Sequence, residues 1–216
     1  MVRILKLALI SYIQIILFNM SYSKYFPDSM SLETPRTTLR IMQRADLPAF
    51  RQLAIYPETF RYFTRDLSVP ADFELWMQEA FNARIGETRV PFTVLDTGSG
   101  EVCGSTSLGN ISFYDKRVEI GWSWLAPQYQ GTGINRQAKF ALLSYAFDVL
   151  KFERVEVKTD VLNGRARAAL KKIGMVEEGV LRSHTLMHSN RRRDTIYYSM
   201  LKNEWPEARE KYFHNI

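Results

Sequence analysis

The chain has 216 residues, of which 46% are hydrophobic and 13% aromatic, and its formal net charge is +6. This length and composition allow one substantial core, and no low-complexity linker divides the chain. The single cysteine, Cys103, excludes an internal disulfide. It lies in a strand-like run without a neighbouring histidine, which is typical of a core residue rather than a nucleophile. The positive charge favours an anionic ligand, either a phosphorylated small molecule or nucleic acid.

The first 35 residues differ from the remainder, and we interpret residues 1–35 as an extension outside the working domain. Leu5–Phe18 is almost entirely apolar, but it is shorter than the ~20 residues of a membrane-spanning helix. A later start at Met20 or Met30, a membrane-associating segment or signal, and a packed helix all stay open. We expect membrane association only if residues 1–20 are retained, and otherwise a cytoplasmic protein.

Strand and helix patterns then follow one another along the chain. Thr38–Met42 predicts a strand, Ala45–Ile55 a helix, and Pro70 the start of a helix that extends to Ile85. The later strand patterns lie at 92–96, 102–113, 117–125, 154–159, 176–184 and 195–201, and the later helix patterns at 134–150 and 165–173. Strands that first meander and then alternate with helices predict a mixed sheet with helices on both faces.

A glycine-containing loop, Gln128–Gly133, connects a strand to the helix that begins at Ile134. Gly131 and Gly133 let the backbone approach a ligand closely. The free N–H groups at the start of the following helix favour an anion there. No acidic residue occurs from Ile134 to Phe147, so an external anion is a candidate for the missing negative charge. The spacing matches neither the dinucleotide nor the Walker loop, and a plain turn is the alternative.

Several motifs occur in a fixed order. They are Val118-Glu119-Ile120-Gly121-Trp122, then Gln128–Gly133, then Asn163, then Leu170–Met175, and then Glu177-Glu178-Gly179. In this order they resemble the GCN5-related N-acetyltransferase (GNAT) superfamily, and within it the branch of the ribosomal-protein N-terminal acetyltransferases (RimJ/RimL-like). The resemblance extends from about Thr37 to Trp205. We therefore expect an acetyltransferase domain over residues 36–205 and a C-terminal tail over residues 206–216.

The resemblance implies an α/β (α+β mixed) fold. Its twisted central sheet is mixed but mostly antiparallel, has about seven strands, and carries helices on both faces. The sheet is expected to split between its fourth and fifth strands, which are the strand patterns at 117–125 and 154–159. The family binds acetyl-coenzyme A (acetyl-CoA) as a cosubstrate in this split, and no metal is expected.

The resemblance also implies which residues hold the cosubstrate. The pantetheine arm would pair, as an added strand would, with backbone groups of Ser123, Trp124 and Leu125. The pyrophosphate would lie on the backbone of Gln130, Gly131, Thr132, Gly133 and Ile134. Asn135 and Arg136 could add phosphate contacts or face solvent. Asn163 would hydrogen-bond pantetheine or substrate, or cap the helix that follows it, and both interpretations stay open.

Acetyl transfer to an amine needs a neutral amine, a stabilised oxyanion and a leaving group. Glu119 is the candidate general base, because it alternates with Val118 and Ile120 and the family often places a base on this strand. A surface carboxylate is the alternative for Glu119. The general acid is unassigned, because Ala166 stands where many relatives carry a serine.

The acceptor side includes His184, a candidate acceptor-site or proton-relay residue, and the run Arg191–Arg193. The run is either a solvated turn or a contact for carboxylates or phosphates of the acceptor. Two histidines without a third ligand do not predict a metal site. We expect direct acetyl transfer to a primary amine of a protein N-terminus or a small molecule, by a monomer or homodimer that binds no DNA. The alternative is a non-catalytic CoA-binding or RNA- or ribosome-binding module of the same fold.

Overall fold

A computed structural model describes residues 22–216, so the apolar segment Leu5–Phe18 lies outside the described residues. The described strands form one sheet and are β1 (Ser31–Glu33), β2 (Thr37–Ile41), β3 (Arg89–Asp96), β4 (Val102–Ser112), β5 (Arg117–Leu125), β6 (Arg154–Asp160), β7 (Val176–Leu186) and β8 (Arg192–Leu201). Their order across the sheet is β1-β2-β3-β4-β5-β6-β8-β7. The β5–β6 pair is parallel and the others are antiparallel.

The mixed, mostly antiparallel sheet that the sequence predicted is confirmed, with eight strands in place of about seven. The additional strand is β1, whose Ser31 and Glu33 pair with Arg40 and Thr38 of β2. This strand lies inside the segment that we interpreted as an extension. It escaped prediction because three residues are too few to show an alternating pattern.

Helices cover both faces of the sheet. They are α1 (Leu47–Leu53), α2 (Pro70–Ile85), α3 (Ile134–Ser144), α4 (Gly164–Lys171) and α5 (Trp205–Phe213), and α3 continues as a π-helical turn over Tyr145–Val149. The helix predicted from Ala45 begins with a 3-10 turn over Arg44–Asp46, where the buried Asp46 carboxylate accepts hydrogen bonds from the Gln43 N–H and the Thr93 hydroxyl. None of the helices within residues 22–216 has the length and apolar character needed to cross a membrane.

Two cores lie on the opposite faces of the sheet. The first contains apolar side chains of α3, α4 and α5 together with alternate strand residues such as Val118 and Ile120. The second contains α1 and α2 and is rich in aromatic residues, including Phe50, Trp76 and Trp124. Because successive strand residues point to opposite faces, Glu119 points away from the first core and towards the side of α1 and α2.

The folded core is wider than the domain bounds of 36 and 205 that the sequence suggested. Tyr22, Phe26 and Met30 before the first bound, and Trp205, Ala208 and Phe213 at and beyond the second, are all buried in the first core. On the N-terminal side, Arg84 of α2 donates a hydrogen bond of 3.0 Å to the Tyr22 hydroxyl. Residues 206–213 are therefore a packed helix rather than a tail, and residues 22–35 are part of the folded unit.

We expect a Phe26→Ala variant to lose about 3–5 kcal/mol of unfolding free energy, because Phe26 is 1% exposed and its removal leaves a cavity. Urea denaturation measures this loss. The matched control is Ile85→Ala, since Ile85 is 80% exposed and its truncation should change stability by less than about 0.5 kcal/mol. A loss for Phe26→Ala as small as that of the control would contradict the inclusion of residues 22–35.

Candidate active site

The sheet opens between β5 and β6. These strands pair in parallel at three positions, which end with Glu119 opposite Glu156. Beyond Glu119, β5 continues to pair with β4 as far as Leu125, and β6 continues to pair with β8 as far as Asp160. One edge of each strand is therefore left open towards the other. This is the split that the sequence predicted, and Glu119 lies at its vertex.

A bulge interrupts β5 inside the split. Ser105 and Ser107 of β4 pair with Trp124 and Gly121 of β5, so three residues of β5 span the distance that two residues of β4 cover. Within the bulge, Trp122 has a φ of 52°, which is uncommon for a residue with a Cβ. A bulge changes the direction of the side chains within it, and here three consecutive side chains point in different directions.

The three side chains of the bulge have separate partners. The Trp122 ring lies over Gly109, where an added Cβ would come within 2.4 Å of the ring. The Ser123 hydroxyl lies 2.7 Å from that of Thr106. Trp124 is buried in the second core, with its ring centroid 5.3 Å from that of Phe60. Of the predicted pantetheine contacts, Trp124 can therefore offer only its backbone.

The glycine loop ends in an uncapped helix. Gly131 and Gly133 have φ values of 79° and 97°, which glycine adopts without steric cost. An added Cβ would meet nothing within 4 Å at Gly131 and only Arg36 Nη1 at 4.0 Å at Gly133. Helix α3 begins without a side-chain cap or an acidic residue in its first turn. Its first N–H groups therefore fit an external anion such as the pyrophosphate of acetyl-CoA.

Two arginines that the sequence did not indicate lie beside this loop. Arg36 donates a hydrogen bond of 2.8 Å to the Thr132 carbonyl oxygen, and Arg165 donates one of 2.7 Å to Gln130 Oε1. Through its Nε2, Gln130 also donates to the Leu125 carbonyl oxygen at 2.7 Å. That carbonyl is thus already paired, so the predicted pantetheine contact at Leu125 is limited to other backbone groups.

Arg136 does not face the loop. Its Nε donates to the Tyr212 carbonyl oxygen at 3.1 Å and its Nη2 to Asn215 Oδ1 at 2.8 Å, which ties α3 to α5. In the conformation seen here, the Arg136 side chain is engaged by these partners and not directed at the phosphate position. Its neighbour Asn135 is exposed, whereas the Ile134 side chain is buried in the first core, so Ile134 can offer only its backbone.

Asn163 caps α4, as one of its two interpretations stated. Its Oδ1 accepts a hydrogen bond of 3.1 Å from the Ala166 N–H. The amide NH₂ of the same side chain is the group that could donate to a ligand in the split. The cap and the ligand contact use different atoms, so they are compatible.

Glu119 is buried, with 3% of its surface exposed, so it is not a surface carboxylate. Asn110 Nδ2 and Lys158 Nζ both donate to its Oε2, at 2.6 and 2.8 Å. A Cβ at Gly121 would lie 2.9 Å from its Oε1, so the glycine makes room for the carboxylate. The two donors fix the orientation of the side chain and leave Oε1 as the oxygen that could accept a proton.

Lys139 of α3 is an unexpected buried group. Only 6% of it is exposed, and its Nζ donates to Ser123 Oγ at 2.9 Å. Burial lowers the pKa of Lys139 to about 8, because desolvation disfavours the charged amine. The sequence carried one signal for this burial: Lys139 stands at helical spacing from Leu142 and Leu143, which are both buried.

His184 lies on β7, away from the vertex. Its ring is exposed, and its Nδ1 lies 3.0 Å from Thr195 Oγ1. Since the partners of the Glu119 carboxylate are on β4 and β6, His184 and Glu119 do not form a hydrogen-bonded pair. The nearby arginine run is not a solvated turn, because Arg193 is buried and Arg191 pairs with the buried Asp160.

Two other chemistries have no support within the described residues. Burial raises the pKa of Cys103 to about 12, and its side chain is 0% exposed, which fits the core residue predicted from sequence and not a nucleophile. Residues 22–216 also contain no group of three or more His, Cys, Asp or Glu side chains placed to hold a metal ion.

Comparisons with known proteins agree with this geometry. The sequence profile of the family "Acetyltransferase (GNAT) domain" matches residues 36–176. The Bacillus subtilis (strain 168) protein named "Putative ribosomal N-acetyltransferase YdaF" is 39% identical over 106 residues, which are 49% of this chain and 57% of that protein. The spermidine N(1)-acetyltransferase of Escherichia coli (strain K12) is 24% identical over 77% of this chain and 87% of that protein. A GCN5-related N-acetyltransferase from Brucella melitensis has a crystal structure with a TM-score of 0.78 and 26% identity, covering 87% of this chain and 85% of that one.

The profile covers more than half of the chain, so the chain belongs to the GNAT acetyltransferase family. It is an N-acetyltransferase that uses acetyl-CoA as its cosubstrate. The name of the B. subtilis relative agrees with the resemblance to the RimJ/RimL-like branch. The acceptor does not follow from the ribosomal relative, because the alignment spans only 57% of that protein.

We expect Gly133→Glu to weaken acetyl-CoA binding by about tenfold or more, because it places a carboxylate where the pyrophosphate would lie. Isothermal titration calorimetry measures the dissociation constant. The matched control is Gly100→Glu in the β3–β4 hairpin, where φ is also positive and an added Cβ meets nothing. Equal binding by both variants would contradict the placement of the phosphate site.

Proposed function

We propose that this chain acetylates the N-terminal amine of a protein by direct transfer, with Glu119 as the general base. The observation that carries the proposal is the position of Glu119, which is buried at the vertex of the split and faces the side of α1 and α2. The ribosomal name of the B. subtilis relative favours a protein acceptor. The spermidine relative offers a polyamine as the second candidate.

The cationic groups of the acceptor side favour a peptide end over a polyamine. Lys158 lies against Glu119, and the buried Arg89 and Arg193 are on the same face of the sheet as Glu119. A polyamine keeps positive charges beyond its reacting amine, and these would meet like charges in a poorly solvated cleft. A peptide end carries one positive charge at most before it reacts, followed by neutral backbone.

The residues that would hold acetyl-CoA come from both walls of the split. They are the backbone of Ser123 and of the glycine loop on one side and the Asn163 amide on the other, with Arg36 and Arg165 next to the phosphate position. When bound, acetyl-CoA supplies an acetyl thioester whose leaving group is a thiolate. The open edge of β5 and the uncapped start of α3 fit such an elongated, anionic ligand.

Glu119 would generate the neutral amine. Its Oε1 would accept the proton of the amine, directly or through one water, while Asn110 and Lys158 hold Oε2. The backbone N–H groups of the bulge, close to Trp122 and Ser123, would donate to the developing oxyanion.

Lys139 and Ser123 would supply the general acid that the sequence left unassigned. Ser123 Oγ would donate its proton to the leaving sulfur and recover one from Lys139 Nζ, 2.9 Å away. A pKa of about 8 for Lys139 is close to the usual value for a thiol of ~8.5, which suits proton transfer between them. An ammonium group loses two protons on its way to an amide: Glu119 would accept the first and pass it to water, and would then accept the second from the nitrogen of the tetrahedral intermediate. After transfer, Glu119 holds this second proton and Lys139 is neutral, so solvent exchange restores both groups.

We expect Glu119→Gln to lower kcat by about 100-fold or more, because the amide cannot accept the amine proton. Calorimetric binding of acetyl-CoA should stay within about twofold of the unmodified chain. The matched control is Glu156→Gln, which changes the carboxylate directly opposite Glu119 in register. Unchanged acetylation by Glu119→Gln would remove Glu119 as the base.

We expect Lys139→Met to lower kcat by about tenfold or more and to remove a decline of kcat above pH 8, because only protonated Lys139 can donate. The same variant should raise Tm at pH 7. The folded state lowers the pKa of Lys139 from 10.5 to about 8, so burial destabilises the protein below pH 8, and this cost shrinks as pH rises towards 10.5.

The controls for Lys139→Met separate the two effects. Ser123→Ala should reproduce the loss of kcat, since it breaks the connection between Lys139 and the split. Lys172→Met removes an exposed lysine at the end of α4 and should alter neither Tm nor the pH profile. A Lys139→Met variant that keeps the full kcat and its decline above pH 8 would exclude Lys139 as the acid.

A further inference from the structure

We infer that the acceptor amine carries a carboxylate, which Arg89 binds in a cavity beside Glu119. This inference rests on the proposed function, because it names a chemical feature of the same acceptor. For a protein N-terminus, the feature is an acidic side chain in the first two residues. The support comes from the sheet register, a cavity, and an arginine with two buried nitrogens that lack a hydrogen-bond partner among the described residues.

The register places Arg89 and Glu119 in one row across the sheet. Arg89 on β3 pairs with Gly109 on β4, and Gly109 pairs with Glu119 on β5. Residues opposite one another on neighbouring strands point to the same face, and two strand spacings separate the two Cα atoms by roughly 10 Å. The glycine between them carries no side chain, so the space above it is left to the Trp122 ring.

A cavity of about 190 Å³ lies at the Arg89 end of this row. Its lining residues come from α2, the connection to β3, β3 itself, β4 and the β5 bulge and are Glu79, Ala83, Thr88, Arg89, Asn110 and Trp122. Since a water occupies roughly 30 Å³ of liquid, the cavity has room for several heavy atoms. Asn110 also donates to Glu119, so the cavity adjoins the surroundings of the base.

Arg89 is a buried cation with unused donors. It is 5% exposed, and its Nε and Nη2 are buried without a hydrogen-bond partner in the part of the chain that the structure describes. A buried N–H without an acceptor is unfavourable, and burial lowers the pKa of Arg89 to about 10. A carboxylate in the cavity would supply both the missing acceptors and the missing negative charge.

The neighbours of Arg89 orient it, and Glu79 attracts it electrostatically, but its Nε and Nη2 keep no hydrogen-bond acceptor among the described residues. The Trp122 ring stacks on the guanidinium, whose Cζ lies 4.7 Å from the ring centroid. Stacking on one face leaves the edge of the guanidinium for bidentate contact with a carboxylate. Glu79 lines the same cavity, but its carboxylate pairs with Arg65.

The test compares acceptors within each variant. The probes are tetrapeptide amides with Glu, Gln or Lys at the first or second position, and a matched pair of small amines, 4-aminobutyrate and butylamine. Acetylation is followed by the release of CoA thiol. The variants are Arg89→Gln, Arg89→Lys, and Arg61→Gln, which removes an exposed arginine as the charge control. Thermal unfolding verifies that each variant folds.

We expect the unmodified chain to prefer Glu over Gln peptides by about tenfold or more in kcat/KM. Arg89→Gln should bring that ratio to about one while the Gln peptides still react, and Arg61→Gln should leave it unchanged. Arg89→Lys keeps the positive charge but loses the bidentate guanidinium, so it should give an intermediate ratio. This variant also tests the inference if Arg89→Gln does not fold.

Two results would overturn one proposal and not the other. Peptides acetylated without preference for Glu would overturn the carboxylate inference and leave the proposed function intact. If no peptide is acetylated but 4-aminobutyrate is preferred over butylamine in an Arg89-dependent manner, the protein acceptor is excluded and the carboxylate inference stands. No preference within either acceptor set would overturn the inference.

Discussion

The separation of β5 from β6 just beyond Glu119 is the constraint on which the rest of the site depends. Three parallel pairs hold the strands together, and the ion pair between Glu119 and Lys158 spans the strands where that pairing ends. Beyond this point β5 stays paired with β4, and β6 stays paired with β8. The opening therefore leaves unpaired backbone on both walls, and the buried carboxylate of the proposed base lies at its vertex.

The bulge in β5 connects the two faces of the sheet at this opening. Ser123 points to Lys139 on the side of α3, whereas Trp122 points to Arg89 on the side of α2. Because they are adjacent in sequence, the proposed thiol-protonating pair and the proposed carboxylate site are fixed by the same few backbone angles. A change in the bulge would shift both. Gly109 leaves room for the Trp122 ring of the bulge, and Gly121 leaves room for the Glu119 carboxylate.

Local patterns were sufficient to predict the mixed sheet and the glycine loop, because alternation, turns and helix starts are read within a few residues. The split and the candidate base Glu119 came from the resemblance to the family. Local patterns could not show that Arg136 bonds to Tyr212, that Lys139 is buried, or that Arg89 stands in register with Glu119. These facts depend on which distant segments meet. The burial of Phe26, which precedes the expected boundary at 36, has the same origin, since packing and not composition brings this side chain into the core.

The glycine loop and the helix that follows it are each held by a contact with a distant part of the chain. Arg36 reaches Thr132 across 96 sequence positions, and Arg136 reaches Tyr212 across 76. Contacts of such separation form only after the loop-closure entropy of the intervening chain has been overcome. Competence to bind acetyl-CoA should therefore arise late in folding, when the segment before β2 and the C-terminal helix α5 have docked. A partly folded chain could not hold the cosubstrate, and its binding would report that folding is complete.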